Sequence, residues 1–493
     1  MAPGQLPTPR SSPDLSVEES TMSFPALDAH RQLPPRFAKI KETLIAGREK
    51  AVVASWRRLL GQIRSEIDYI NNTGPDVIPS INFQDIHDNA RAQEFSASLR
   101  KRGACIIRGV VPETVIGGWM NETAQYLSHN STAGAFSTQG CLDHEVYWSP
   151  VQVKARAHSN VLVAQAFLLN LWQTSDLKAP LTTNFPVAYA DRSFSGDSDG
   201  LYTPEQPVCM VCMDGGSVER WEPDGYGAGA TYQKIWDGKW EEYNPWDSSA
   251  RLKAVSNLYN SASTCSMFRM FNGWLCLNGR PPGESPLRVC PMLQLSTAYV
   301  LLRPFFAPIK PSPSHPDFLS PDNWALETPQ SSTIHGAAPS FRQELNDTLH
   351  PHLRLSESMV STPVLGPGDY LVWHCDSIFS SESGRGAASH NTGIYLPACP
   401  LTEANAMYLA RQRRAFLLGQ PGPDFDDEGQ SESNHMGRPG VQEVSDAGGN
   451  AGLRAMGLLP WDEDDVETGV EAEVLEMANN ILFPDRHDFD MAY

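Results

Sequence analysis

The chain has 493 residues, a mass of 54.3 kDa and a formal net charge of −20 at pH 7. Its length exceeds one ordinary domain, and a hydrophobic content of 41% is enough to bury a sizeable core. The negative charge argues against non-specific binding to nucleic acid or to an anionic membrane. No segment resembles a signal peptide or approaches roughly 18 consecutive apolar residues, so the sequence predicts a soluble, cytoplasmic protein.

The nine cysteines are scattered along the chain, and most lie within apolar runs such as "GWLCLNG". An odd, irregularly spaced set in a chain of this length predicts reduced, buried thiols rather than a disulfide framework. Cys209 and Cys212 have the spacing of a zinc or redox pair, but no second pair follows them. The sequence therefore gives little support for a structural zinc site.

The N-terminal part of the chain changes from low complexity to helical periodicity. Residues 1–35 are rich in Pro and Ser, a composition typical of disorder. Residues 36–70 place apolar side chains at near-helical spacing, which predicts one long amphipathic helix or a helical pair. The apolar run at 102–113 predicts a buried strand that ends in a turn. We assign 36–180 to a helical region whose first strands pack on the core.

Residues 181–400 differ in their sequence pattern, with short apolar runs separated by Gly, Pro, Asn and Asp. Short predicted strands separated by turn-forming residues are typical of a barrel or of a two-sheet jelly roll. A helix is predicted next at 402–419, within a segment that spans 401–422. Thr402 is the expected N-cap of this helix and Gly419 the expected C-cap.

The last segment, 423–493, is strongly acidic. Residues 424–476 contain 15 Asp or Glu and two Arg, which together contribute −13 to the net charge. Such a run predicts a solvated, low-complexity tail. Within it, only 470–482 has the pattern of a short docking helix.

The stretch "PGDYLVWHCDSIF" (367–379) carries the clearest candidate chemistry. A turn leads into an apolar strand that delivers His374 and Asp376 two residues apart, and residues so spaced share one face of a strand. Together with His390 they would form a two-histidine, one-carboxylate triad, which leaves positions on ferrous iron open for substrate and oxygen. The alternative is structural, with His374 hydrogen-bonded inside the barrel and Asp376 capping a turn.

Two arginines lie in otherwise apolar runs, where a buried guanidinium needs an anionic partner. Arg269 and Arg303 would pair either with a structural carboxylate or with a 2-oxo acid ligand. His350 and His352 also have metal-compatible spacing, but their polar surroundings predict a surface loop. The sequence contains no nucleotide-binding glycine loop, which argues against a nucleotide-dependent enzyme.

Several blocks in order resemble one known family. "RFAKIKETLIAGREKAVVASWRRLL", "DGGSVERWE", "FRMFNGWL", "TAYVLLRPFF" and "PGDYLVWHCDSI" look like signature blocks of the family called domain of unknown function 1479, and the resemblance covers about residues 36 to 485. That family is a branch of the Fe(II)/2-oxoglutarate-dependent oxygenase superfamily of fungi and bacteria. The resemblance implies an α+β fold, with a double-stranded β-helix (jelly roll, cupin-like) core and N-terminal and C-terminal helical decoration. It also implies a dioxygenase-type oxidoreductase that uses Fe(II) and 2-oxoglutarate on a small molecule, with a role in fungal specialised metabolism.

The family's metal ligands do not all carry over to this chain. The resemblance places a His-x-Asp pair just before the two glycines of "DGGSVERWE" and a distal histidine after "GDYLVWHCDSI". Here Asp214 is present, whereas Cys212 and Phe379 stand where the histidines are expected. Soft sulfur favours zinc or cuprous ion over an oxygen-activating ferrous site, and a phenyl ring cannot ligate a metal.

Three hypotheses follow from this site. The first is a working oxygenase with a rearranged centre that draws on Asp214, Cys212, His374 or His390. The second is a metal-independent isomerase, lyase or cyclase that uses the same pocket. The third is a non-catalytic pseudo-oxygenase that binds a ligand or a partner.

Overall fold

The structure is a computed structural model that describes residues 33–130, 144–191, 193–195, 210–259, 265–279, 287–381, 393–425, 431–466 and 469–487. Segment 1–32, Cys209 and His390 lie outside these ranges, so the predictions that concern them have no structural counterpart. No helix within these ranges is long and apolar enough to cross a membrane.

Helices dominate both ends of the described chain. They are α1 (Arg36–Ile45), α2 (Glu49–Thr73), α3 (Asn89–Arg102), α4 (Glu113–Asn130), α5 (Pro150–Ala157), α6 (Ser159–Leu169), α7 (Gln233–Trp236), α8 (Leu293–Leu302), α9 (Leu355–Ser358), α10 (Glu403–Leu418), α11 (Val441–Ala455) and α12 (Gly469–Leu482). Residues 36–70 therefore belong to a helical pair, separated at Gly47, whose φ of +74° is incompatible with a continuous helix. Helix α2 buries an apolar face that includes Val52, Trp56 and Ile63, and it packs against α8.

The strands are short, and most belong to two sheets. In chain order they are β1 (Ser80–Asn82), β2 (Ala104–Arg108), β3 (His144–Val146), β4 (Leu181–Val187), β5 (Ser193–Ser195), β6 (Cys212–Met213), β7 (Phe271–Cys276), β8 (Leu287–Val289), β9 (Phe306–Pro308), β10 (Trp324–Leu326), β11 (Val360–Ser361), β12 (Tyr370–His374), β13 (Ile378–Ser381), β14 (Gly393–Tyr395) and β15 (Cys399–Thr402). A five-stranded sheet has the order β1-β2-β12-β7-β14, and a four-stranded sheet has the order β11-β8-β13-β6. From β6 to β14 the chain passes repeatedly from one sheet to the other, and every pairing in these sheets except β1 with β2 is antiparallel.

Strand β12 separates two hydrophobic cores. All five of its residues are buried. Because successive side chains of a strand point to opposite faces, Leu371 and Trp373 enter one core while Tyr370 and Val372 enter the other. This explains why the segment reads as a continuous apolar run rather than as an alternating one. The predicted strand at 102–113 is present as β2, the neighbour of β12.

One strand-like stretch of the sequence is largely helical. The apolar run that begins at residue 286 forms a strand only over Leu287–Val289 and then continues as α8. Nearly every residue of α8 is buried, so its sequence lacks the polar face that would reveal a helical period. Apolar runs of this length do not distinguish a buried strand from a buried helix.

The C-terminal segment differs from the expected solvated tail. Thr402 caps α10 by accepting a hydrogen bond from the Asn405 backbone, and Gly419 ends it with a left-handed conformation, as predicted. The predicted docking helix is present as α12, which buries Val474, Leu475, Ala478 and Leu482. Helix α11 was not expected: Val441–Ala455 contains three glycines, which disfavour a helix, and two of them, Gly448 and Gly452, lie on its buried face. A Cβ on Gly448 would lie 1.7 Å from the Ala157 carbonyl oxygen, so only glycine permits this packing against α5.

Candidate functional site

A cavity of about 450 Å³ lies where the ends of three strands meet the start of α10. Asp214 follows β6, Arg269 precedes β7 and Cys375 follows β12, and all three line the cavity. Much of the remaining wall is apolar and includes Met267 and Phe268. Pockets of this size, with an apolar wall and a few converging polar groups, are typical of small-molecule sites.

A buried ion pair forms the polar side of this cavity. Arg269 Nη2 lies 2.6 Å from Asp214 Oδ2, and the two side chains are 12% and 7% exposed. Arg269 Nη1 also donates to the Tyr395 hydroxyl at 2.5 Å. With its amide nitrogen turned toward the acceptors, Asn272 donates to the same Asp214 oxygen at 3.2 Å and accepts from Trp373 Nε1 at 3.1 Å. The carboxylate is therefore held by both a guanidinium and an amide.

The two glycines after Asp214 form a turn at the edge of the cavity. Gly215 and Gly216 have φ values of +78° and +77°, a region that disfavours other residues. Buried Arg220 donates to the backbone carbonyls of Asp214 and, at 3.2 Å, of Gly216. Glu219 accepts from the Ser217 backbone at 2.7 Å. Much of the "DGGSVERWE" block thus serves to fix the turn that presents Asp214.

The two positions where the family resemblance expects histidines are direct neighbours across the four-stranded sheet. Cys212 on β6 is the register partner of Phe379 on β13. Both residues are buried, with exposures of 2% and 8%. Burial raises the pKa of the Cys212 thiol, and the nearby charge of Arg342 offsets this only in part. Phe379 packs against Trp373, with ring centroids 5.4 Å apart.

His374 is placed among aromatic rings and makes two hydrogen bonds to backbone groups. It ends β12 and stacks on Trp172, with ring centroids 4.7 Å apart. Its Nε2 is 3.1 Å from the Pro245 carbonyl oxygen, and its Nδ1 accepts from the Asp376 backbone N–H at 3.0 Å. Burial lowers the pKa of His374 to about 3, so the imidazole is neutral and both of its nitrogens are engaged. His374 therefore has the structural role predicted from the sequence as the alternative to metal binding.

Asp376 lies in the turn after β12 and belongs to a second buried ion pair, with Arg251. Tyr232 and Tyr243 donate their hydroxyls to its two carboxylate oxygens at 3.1 Å and 2.9 Å. Burial alone would raise the pKa of Asp376, but the charge and hydrogen bonds of Arg251 outweigh it and hold that pKa well below its usual range. His374 and Asp376 are therefore close together, but each is directed to its own partners and not to a shared ion.

Arg303 and the histidine pair lie elsewhere. Arg303 follows α8 and donates to the carbonyl oxygens of Leu349 at 3.0 Å and Phe306 at 2.8 Å, outside the cavity beside Asp214. His350 and His352 are buried instead of lying in a surface loop. They are covered by the same aromatic cluster that surrounds Arg303, which a polar local sequence does not reveal.

The residues around Asp214 do not fit an Fe(II)/2-oxoglutarate centre. Among the side chains that the structure describes, no group of three or more His, Cys, Asp or Glu could hold a metal ion. A ferrous centre of this class requires two imidazoles and a carboxylate, whereas Asp214 is surrounded by a guanidinium, an amide and a protonated thiol. His390, the remaining candidate ligand, lies outside the described residues.

The sequence did not point to three residues that complete the site. Asn272 and Tyr395 contact Asp214 or Arg269, and Cys375 lines the cavity near Arg251. Asn272 interrupts an otherwise apolar strand, and a buried amide in such a place needs hydrogen-bond partners. The polar Asn272 within this apolar run is the sequence signal by which Asn272 could have been identified.

These features define a mixed α/β protein with two main sheets and a cavity beside a buried Arg–Asp pair. Residues 31–458 match the sequence model of the Gig2-like family, and the chain belongs to that family. It is 27% identical over 412 residues to the Escherichia coli protein YbiU, which covers 80% of this chain and 88% of YbiU.

Two solved structures have the same overall fold. GlcNAc Inducible Gene 2 (Gig2) of Candida albicans, which carries the designation DUF1479, aligns with a TM-score of 0.77 at 28% identity and covers 94% of this chain and 98% of that one. A Salmonella typhimurium LT2 protein, provisionally described as an oxidoreductase, aligns with a TM-score of 0.67 at 25% identity and covers 87% of this chain and 99% of its own. The family expected from the sequence blocks is thereby confirmed.

Proposed function

We propose that this protein binds a small organic molecule in the cavity beside Asp214 and transforms it without iron. The observation that carries this proposal is the state of Asp214. Its carboxylate lines the cavity and pairs with Arg269 at 2.6 Å. Cys212 and Phe379, at the positions where the family resemblance expects histidines, are paired with each other across strands β6 and β13. Such a site supplies a hydrogen-bond acceptor, a cationic donor and an apolar wall.

We further propose that the two sheets are the halves of a double-stranded β-helix. The repeated passage of the chain between the four-stranded and the five-stranded sheet, from β6 to β8 and again from β11 to β14, supports this assignment. In a scaffold of this kind the cavity opens between the sheets, where residues from several strands converge. The scaffold would then be that of an oxygenase, with a different chemistry at its centre.

The side chains in the cavity suit redox-neutral chemistry. A positioned carboxylate can accept a proton from a substrate, and a neighbouring guanidinium can stabilise the negative charge that develops. An isomerase, lyase or cyclase can work with these two functions and without an oxygen-activating metal. Asp214 would act as the proton acceptor and Arg269 as the charge-stabilising group, both on the polar side of the cavity.

An oxidoreductase is the second candidate, favoured by the provisional description of the Salmonella relative. On that hypothesis iron and 2-oxoglutarate would bind at a rearranged centre that includes Asp214 and draws a further ligand from His390. A role in specialised metabolism would be compatible with either candidate.

Anaerobic reconstitution with Fe(II) and 2-oxoglutarate separates the two. The bidentate complex of 2-oxoglutarate on iron has a weak visible absorption band, which would be recorded for wild type, His390→Ala and Cys212→His/Phe379→His. Our proposal expects no band and no stoichiometric iron in wild type. A wild-type band that disappears in His390→Ala would contradict it and establish the iron-dependent alternative.

Ligand binding provides the complementary test. Thermal shifts of EDTA-treated protein would be recorded against a library of small organic acids, alcohols and carbonyl compounds. We expect a compound that stabilises wild type but not Asp214→Asn, and whose conversion persists in EDTA and without oxygen. A compound that binds through Asp214 without turnover would indicate a pseudo-oxygenase that only binds its ligand.

A further inference from the structure

Three side-chain positions converge at the end of β6. Cys212 and Phe379 are register partners on adjacent antiparallel strands, where directly opposed Cβ atoms lie about 4.5–5.5 Å apart. Asp214 is two residues beyond Cys212, and its charge is close enough to affect the pKa of the Cys212 thiol. Phe379 is linked to the same carboxylate indirectly: its ring packs on Trp373, whose Nε1 donates to Asn272, and the Asn272 amide donates to Asp214. The family resemblance places imidazoles at positions 212 and 379, which with Asp214 would make a two-histidine, one-carboxylate set.

A cationic group already pairs with the carboxylate of this set. Arg269 Nη2 lies 2.6 Å from Asp214 Oδ2, and the Asn272 amide reaches the same oxygen at 3.2 Å. A divalent ion bound to that oxygen would have to displace two donors and would also face the guanidinium charge at short range. Because the pair is largely buried, either partner left alone would be an uncompensated charge in a poorly solvated place.

We infer that Arg269 substitutes for the metal cation of this site. The guanidinium neutralises Asp214 and closes the position to divalent ions, independently of the missing imidazoles. This role of Arg269 rests on the site of the proposed function, but it concerns the exclusion of metal rather than the conversion of a ligand. Restoring the two histidines alone would not restore metal binding, because the cation of the site is part of the chain.

The test compares wild type with three variants. They are the double variant Cys212→His/Phe379→His, the triple variant that adds Arg269→Gln, and a control triple variant that adds Arg303→Gln instead. Arg303 is a buried arginine whose observed partners are backbone carbonyls outside the cavity, so it matches Arg269 in type but not in place. Co(II) would serve as the probe, since its visible absorption reports ligand number and geometry, and circular dichroism would confirm that each variant is folded.

We expect stoichiometric Co(II) binding in the Arg269→Gln triple variant and binding at least roughly tenfold weaker in the double variant and the control. Equal affinity of the double and the Arg269→Gln triple variant would overturn the inference. Failure of the proposed function has a different signature, namely stoichiometric iron binding by the wild type. The two results can therefore be told apart.

A second measurement covers the case in which the triple variant does not fold. A double-mutant cycle of Arg269→Gln and Asp214→Asn in the wild-type background would be followed by urea unfolding. If the two side chains pair, the double variant should shift the unfolding midpoint by less than the sum of the two single shifts. Either substitution alone already removes the other residue's partner. Strictly additive shifts would show that the guanidinium does not serve Asp214.

Discussion

The protein contains two buried Arg–Asp pairs that differ in their surroundings. In the Arg251–Asp376 pair the side chains are 3% and 1% exposed, and two tyrosine hydroxyls complete the coordination of the carboxylate. In the Arg269–Asp214 pair they are 12% and 7% exposed, and both residues line the cavity, whereas of the first pair only Arg251 does. The Asp376 carboxylate of the first pair is not part of the cavity wall and accepts hydrogen bonds from Arg251, Tyr232 and Tyr243, so this pair serves the fold. The second retains access to the cavity, where a ligand can compete for its donors and acceptors.

The largest effect should follow from breaking the enclosed pair. Arg251→Gln leaves Asp376 as a buried charge with only tyrosine donors, which costs about 3–5 kcal/mol in the free energy of unfolding. Urea denaturation of the purified variant measures this cost. A loss no larger than that of a surface substitution such as Arg57→Gln, whose side chain is 58% exposed, would contradict a structural role for the pair.

The cavity-facing pair should be less costly to break. Arg269→Gln is expected to reduce the free energy of unfolding by roughly 1–3 kcal/mol, because water in the cavity can solvate the abandoned Asp214 carboxylate. Urea denaturation of both variants under the same conditions gives the two losses in the free energy of unfolding, and their ratio measures how far the two pairs differ. Equal losses would mean that the cavity does not admit solvent to Asp214, and the distinction drawn between the two pairs would fail.

Acid should destabilise the protein through its buried histidines. The pKa values of His350, His352 and His374 are each lowered to about 3 by burial. The pKa of a histidine in the unfolded chain is about 6.5. Between the folded and the unfolded pKa the unfolded state binds more protons, so the stability of the protein falls as the pH falls. Each histidine contributes at most about 1.4 kcal/mol per pH unit to this slope. The dependence fades as the pH rises past about 6.5 and is negligible above about pH 8, where both states are neutral.

Two of these histidines allow a matched comparison. Neither ring nitrogen of His350 has a hydrogen-bond partner within the described structure, whereas both nitrogens of His374 do. His350→Leu should therefore reduce the acid slope with little loss of stability at pH 8. His374→Leu should reduce the slope equally but lower stability at pH 8, because the Pro245 carbonyl and the Asp376 N–H lose a partner. Unfolding curves at several pH values distinguish these outcomes.

Local signals in the sequence predicted the elements but not their pairings. The caps of α10 at Thr402 and Gly419 were readable because a cap depends on a few adjacent residues. The link from Arg269 to Asp214 depends on how β6 and β7 are placed, which no local pattern encodes. His374 and Asp376 have strand spacing, yet β12 ends at His374 and the following turn directs Asp376 toward Arg251. The sequence thus indicated which residues carry chemistry, but not which partners satisfy them.

The smallest predicted effect concerns Asn272, which distinguishes the cavity-facing pair from the enclosed one. Its amide reaches Asp214 Oδ2 at 3.2 Å and Trp373 Nε1 at 3.1 Å. Asn272→Ala should therefore cost about 1 kcal/mol in the free energy of unfolding. Because the amide shares its acceptor with Arg269, the loss should change when Asn272→Ala is introduced into the Arg269→Gln background, but not in the Arg251→Gln background. The same loss in all three backgrounds would show that Asn272 does not belong to the Asp214 network and that Arg269 alone holds the carboxylate.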